Sequence, residues 1–161
     1  LTYIPDFCSA NATLEIIYIG FNEISSVTEG DISCLKVLTH LGLNNNPLLF
    51  LSDLRRLVPS LSTLYVRQIP FTCCVAIAWM KDIDIEIDSD ITPCKWPPSL
   101  IGTKWSTISK NELNGLSCGD AGEYTGIESF HQVCIVHAST ESLIESQFLG
   151  QLAPKSVIIC V

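Results

Sequence analysis

Histidine, basic residues and C-x-x-C pairs are scarce or absent in this chain, and each shortage removes a class of function. There are only three histidines, at 40, 131 and 137, and no serine or cysteine stands in a recognisable nucleophile motif. An active site needs convergent polar groups with matched roles, so an enzyme is not expected. Nine basic residues face seventeen acidic ones, for a net charge of −8. Nucleic acid and anionic lipid both require a basic footprint, and neither is an expected partner. No C-x-x-C occurs, which argues against structural zinc. The triplet His131-x-x-Cys134-x-x-His137 resembles a ligand set, but on a strand a spacing of three puts neighbours on opposite faces. No metal or other cofactor is expected. The apolar stretch at 157–161 is far too short to span a bilayer. No secretory leader opens the chain, and Leu1-Thr2-Tyr3-Ile4-Pro5 reads as the middle of something, so both ends are expected to be cut edges of a larger protein.

What is present is apolar surface and cysteine. Hydrophobic residues make up 47% of the chain against 16% charged, more apolar surface than a short piece readily buries alone. Eight cysteines at 8, 34, 73, 74, 94, 118, 134 and 160 are widely spaced, which suits disulfides in an oxidising compartment. Asn11-Ala12-Thr13 is the only N-glycosylation sequon and agrees with secretion. An extracellular or cell-surface location is therefore expected.

Three segments align without gaps, LEIIYIGFNEI from Leu14, LTHLGLNNNPL from Leu38 and LSTLYVRQIPF from Leu61. They share the pattern L-x-x-L-x-L-x-x-N-x-L. It is filled by Leu14, Ile17, Ile19, Asn22 and Ile24, then by Leu38, Leu41, Leu43, Asn46 and Leu48. The third copy has Leu61, Leu64, Val66 and Phe71 but carries Ile69 where the asparagine belongs. The starts at Leu14, Leu38 and Leu61 are almost evenly spaced, and Leu1 falls one such interval before Ile24, at the end of a further copy. This pattern resembles the leucine-rich-repeat family. In that reading each L-x-L is a short parallel strand with its leucines inward, and the asparagine satisfies buried backbone groups of the following loop.

After Ile69 come Pro70-Phe71, Cys73, Cys74 and Trp79, then Cys94, Pro97, Leu100 and Gly102, then Cys118. This resembles the cysteine-rich flanking domain that closes extracellular repeat stacks, although one residue usually separates the first two cysteines and here none does. The resemblance implies Cys73–Cys94 and Cys74–Cys118. Cys8 and Cys34 are separated by about one repeat plus three, and either pair or remain two buried thiols. Cys134 and Cys160 are then left to pair.

The expected fold is α/β: a short solenoid with a curved parallel sheet over 1–68, a disulfide cap over 69–118 and a small β-α-β-like tail over 119–161. In the tail, strands are expected at 130–137 and 155–161, with a helix between them capped by Ser139 or Thr140. The spacing of Ser146, Gly150 and Ser156 weakly resembles the helix of PAN/apple modules, where cysteines hold those places. The first strand is expected to have an exposed edge, since no preceding strand covers it.

Repeat stacks bind partners on the concave sheet. Tyr18, Phe21, His40, Tyr65 and Arg67 are the candidate binding residues there, with Gly42 leaving a notch between the two phenols. The run DIDIEIDSD alternates Asp82, Asp84, Glu86, Asp88 and Asp90 with isoleucines. It is expected to be a solvated acidic face of the cap, with a diffuse basic partner or calcium as the functional alternative. The expected function is extracellular protein recognition, as part of a receptor, adhesion or immune ectodomain, with another protein (glycosylated or not) as the partner. A structural matrix role is the second reading and an enzyme a distant third. Membrane attachment would need a segment outside this sequence.

Overall fold

In a computed structural model of the chain, residues 1–86 and 94–118 are described in full, together with the backbones of two strands at 134–138 and 156–160. Four short strands stack in parallel: β1 (Leu14–Tyr18), β2 (His40–Gly42), β3 (Thr63–Tyr65) and β4 (Asp84–Glu86). The inward row of register partners is Ile17, Leu41, Leu64 and Ile85, each about one repeat length after the last. Each strand sends one of these residues into the core. Ile17, Leu41 and Leu64 are wholly buried and Ile85 packs against the same core. A parallel neighbour cannot be reached by a tight turn, so a return segment separates each pair. The first return holds α1 (Glu29–Ile32), closed at its start by a capping box between Thr28 and Asp31. The second holds a single 3₁₀ turn, Leu54–Arg56, whose Asp53 cap accepts from the Arg55 backbone N–H. Both returns bury one aliphatic side, through Ile32, Leu35, Leu51, Leu54 and Val58.

Four strands in one parallel sheet differ from the three expected. The alternating acidic run reads from the sequence as a separate cap face, but Asp84–Glu86 continues the sheet beside β3. Its signal is present in the sequence: Ile85 follows Leu64 at slightly less than one repeat length. Asp82 leaves the row, because it ends the 3₁₀ helix Val75–Asp82 that precedes the strand. Asp88 and Asp90 lie outside the described residues.

Beyond β3 the chain folds over the end of the stack. Phe71, Ile77, Trp79, Met80, Trp105, Ile108 and Leu113 are buried and join the same core. The Trp79 indole donates to the Leu51 carbonyl at 2.9 Å, fixing the cap to the second return. The short helix α2 (Lys110–Asn114) opens with a Ser109–Glu112 capping box. Arg55, Asp82 and Lys110 form an ionic clasp from three separate segments, with contacts of 2.5 and 2.6 Å.

Three disulfides join Cys8 to Cys34, Cys73 to Cys94 and Cys74 to Cys118, with Cα separations of 5.5, 5.4 and 5.0 Å. The adjacency of Cys73 and Cys74 is accommodated by extended backbone at Cys74, φ −149° and ψ −176°. Successive residues in that conformation face opposite ways, so each sulfur can find its own partner.

The strands β5 (Cys134–Ala138) and β6 (Ser156–Cys160) are adjacent and antiparallel, and β6 runs parallel to β1. The sheet order is therefore β4-β3-β2-β1-β6-β5. This corrects the expectation of an exposed β1 edge, since β6 occupies it. The ladder hydrogen bonds that β1 would otherwise leave open go to the chain's own tail. Cys134 and Cys160 are register partners; their expected bridge lies outside the described residues, as do Ser146, Gly150 and the helix expected between the strands.

Candidate protein-binding face

The outward rows of the sheet follow directly from the register. One reads Ile16, His40, Thr63, Asp84, and the other Tyr18, Gly42, Tyr65, Glu86. At strand spacing these neighbours stand close enough for their side chains to interact. The Tyr18 and Tyr65 rings lie 5.5 Å apart, tilted by 56°. His40 stacks on Tyr65 at 6.4 Å, its Nδ1 held 2.8 Å from the Thr39 hydroxyl. Tyr18, His40 and Tyr65 thus form one cluster on a shared face.

The notch expected at Gly42 is not open. A Cβ placed on Gly42 would lie 2.5 Å from Tyr18 Cδ1, so the Tyr18 ring covers the glycine. Glycine is required here by the close approach of a ring. Burial pushes the Tyr18 phenol up to about 12, with further increments from its hydrogen bond to Tyr65, from the Tyr65 phenol itself and from the Glu86 charge. The acid on β4 and the phenols on β1 and β3 therefore belong to one electrostatic unit.

Phe21 and Arg67 lie past the ends of their strands, on the corner that leads into the returns. Both are exposed, Phe21 by 55%. Phe21, Asn45 and Gln68 all adopt left-handed backbone, with φ of 55°, 54° and 56°. They occupy the same place in three successive units, immediately before Asn22, Asn46 and Ile69. Left-handed backbone costs a non-glycine residue roughly 1–2 kcal/mol, least for asparagine. It is held by pairing across the units: Phe21 N–H donates to Asn44 O and Asn45 N–H to Arg67 O. The repeat pattern does not reveal this corner, and only Asn45 carries a residue-type signal for it.

The asparagines under the corner behave as expected. Asn46 donates to Ile19 O and Leu43 O at 2.9 and 2.8 Å, and accepts from Ile24 N–H at 3.0 Å. Asn22 donates to Gly20 O and Ile19 O and accepts from the Leu1 amino group. One side chain therefore satisfies backbone groups in its own loop and in the preceding unit. Ile69 is fully buried in the equivalent place and contributes packing instead. Asn44 Oδ1, one unit over from Gly20, is a buried side-chain atom without a hydrogen-bond partner.

Asn11 is exposed at the end of the Cys8–Ala10 turn, shortly before β1, so its sequon is accessible. Among the described residues no group of histidine, cysteine or carboxylate side chains could hold a metal, and no helix is long and apolar enough to cross a membrane. His131 lies outside the described residues, and of Cys134 and His137 only the backbone on β5 is described. No known family model matches this chain, and no curated protein matches it significantly.

Proposed function

We propose that this chain is a leucine-rich-repeat module with a cysteine-rich cap, and that it recognises another protein outside the cell through the outward face of β1–β4. The observation that carries the reading is the aromatic cluster of Tyr18, His40 and Tyr65 in the middle of a sheet face. Tyrosine brings large rigid contact area at low entropic cost, and it is enriched where truncation most weakens binding. The repeat assignment is supported by the near-even spacing of the strands and by the two asparagines in equivalent positions. Secretion is supported by three disulfides and an exposed sequon. The sheet is an open surface, so its partner is a macromolecule with a complementary surface rather than a small molecule in a cleft.

The test is a binding screen of the oxidised chain, displayed as a multimer, against an array of purified secreted proteins and receptor ectodomains. Tyr65→Ala should weaken an interaction by about 1–2 kcal/mol or more, whereas Lys36→Ala, on the first return, should leave it unchanged. A set of binders that ignores Tyr65→Ala and Arg67→Ala but responds to Lys36→Ala would move the site off the sheet.

A further inference from the structure

Resting on that reading, we propose that the β3–β4 end of the face is a receptor for an arginine side chain of the partner, with the guanidinium stacked on the tyrosines and paired with the Glu86 carboxylate. The groups gathered there are acceptors. Glu86 and Asp84 are exposed and stand beside Tyr65 and Thr63 in register. Among the described residues neither carboxylate has a cationic partner. The bases Arg55 and Lys110 are committed elsewhere, to Asp53 and Asp82.

The Tyr18 and Tyr65 rings lie beside these carboxylates on the same face, 5.5 Å apart. What remains is a carboxylate with free lone pairs, the phenol oxygens and two aromatic faces. An ionised carboxylate only accepts, and guanidinium only donates, so the inventories are complementary. Guanidinium also stacks on aromatic rings and pairs in a planar fork with a carboxylate, whereas ammonium is a compact, strongly hydrated point charge. The Tyr18 phenol, pushed up by burial, stays neutral at physiological pH and adds π-face without competing charge. Asp84, two residues earlier on β4, lies about 7 Å from Glu86 along the strand, too far for one guanidinium to bridge head-on. It adds field for a cation approaching from the β4 side. Arg67 stands on the corner just past Tyr65, and its charge favours that same approach over one from the corner.

The probe is a capped tetra-arginine peptide, titrated into the oxidised full chain alongside tetra-lysine and the neutral isostere tetra-citrulline. Tetra-arginine should bind about tenfold more tightly than either of the other two. Glu86→Gln should remove most of that preference; Glu86 is exposed, so the fold is not at stake. Glu29→Gln, an equal loss of charge on α1 in the first return, should change nothing. Equal weakening by Glu86→Gln and Glu29→Gln would reduce the effect to bulk attraction by a chain of charge −8, and would overturn the proposal. So would equal affinity for tetra-lysine. A partner from the ectodomain screen that depends on Tyr65 but not on Glu86 would sink the arginine site while leaving the face as the binding surface. Loss of Tyr65 dependence would sink both.

Discussion

The stacked strands and the segment that closes them bury similar side chains, but they fix their neighbours by different means. Within residues 14–66 a single unit is reused. An inward aliphatic row, a left-handed corner and a buried asparagine recur, and each supports the unit before it. In residues 69–118 only β4 continues the sheet, and the contacts that close the stack are each of a different kind. Trp79 is tied to Leu51, Lys81 lies 4.0 Å from the centre of the Trp105 ring and donates to its carbonyl, and two disulfides and an ionic clasp complete the closure. A repeated unit can be stabilised by its neighbours on both sides, whereas a terminal one has a neighbour on only one. Cross-links replace the missing partner. Ile69 marks the changeover, since it fills the asparagine's place by packing alone and is wholly buried there.

The sharpest way to break this contrast is to remove a cross-link from the cap. Cys74 and Cys118 are 44 residues apart in sequence, and chain entropy gives about 4 kcal/mol for closing such a loop. Replacing both cysteines by alanine should lower the denaturant midpoint most, with the loss concentrated in the cap. Hydrogen exchange should then show Leu113 and Ile77 amides opening well before those of Leu41 and Leu64. Uniform loss of protection would mean that stack and cap unfold as one unit and that the contrast is only descriptive.

A second pair of substitutions sharpens the contrast at its boundary. Asn46→Leu keeps the volume but strands Ile24 N–H and the Leu43 carbonyl, and leaves Ile19 O with only its bond from Asn22, at about 1–3 kcal/mol for each buried group left unsatisfied. Ile69→Asn puts a polar group where a side chain now only packs. Urea unfolding should rank Asn46→Leu as the more damaging, although it is the change toward hydrophobicity. The opposite ranking would show that the asparagine serves as a spacer rather than as a hydrogen-bonding group.

These positions also show how far a sequence of this kind can be read. The inward rows are legible because the period of the leucines and isoleucines directly reports which side chains share a face. Asn22 and Asn46 are legible because a polar residue at a fixed place in an apolar pattern needs a buried use. The cysteine pairs of the cap come through family resemblance, not through spacing, and the structure contains them. Sequence reading fails where register rather than pattern decides. The fourth strand reads as part of the cap because the step from Leu64 to Ile85 is shorter than those from Ile17 to Leu41 and from Leu41 to Leu64. The notch at Gly42 follows from the absence of a side chain, whereas the neighbouring Tyr18 ring fills such space. Pairing of β6 with β1 is not legible, because it joins segments far apart in the sequence with no shared motif.

The smallest expected effect concerns the ionic clasp, and it tests whether charge contributes to the closure at all. The Asp82 carboxyl is held below the usual carboxylate range by its hydrogen bonds to Lys110 and then Arg55, and Asp53 by Arg55 in the same way. Glu112 is lowered by the Ser109 backbone N–H, with the Ser109 hydroxyl next. A carboxyl whose folded pKa is depressed binds fewer protons folded than unfolded. Its stabilising contribution is therefore full above the unfolded carboxylate range, about pH 4, and is lost as pH falls through the lower folded values. Thermal melts should accordingly be flat from neutral pH down to the ordinary carboxylate range and should fall below it. Asp82→Asn should shrink that acid-side fall while changing neutral-pH stability only slightly, because exposed pairs are screened and contribute little. Added salt should erode the same small difference. An Asp82→Asn chain whose acid limb matches the parent would show that the clasp titrates without stabilising, and that the cap is held by its disulfides and tryptophans.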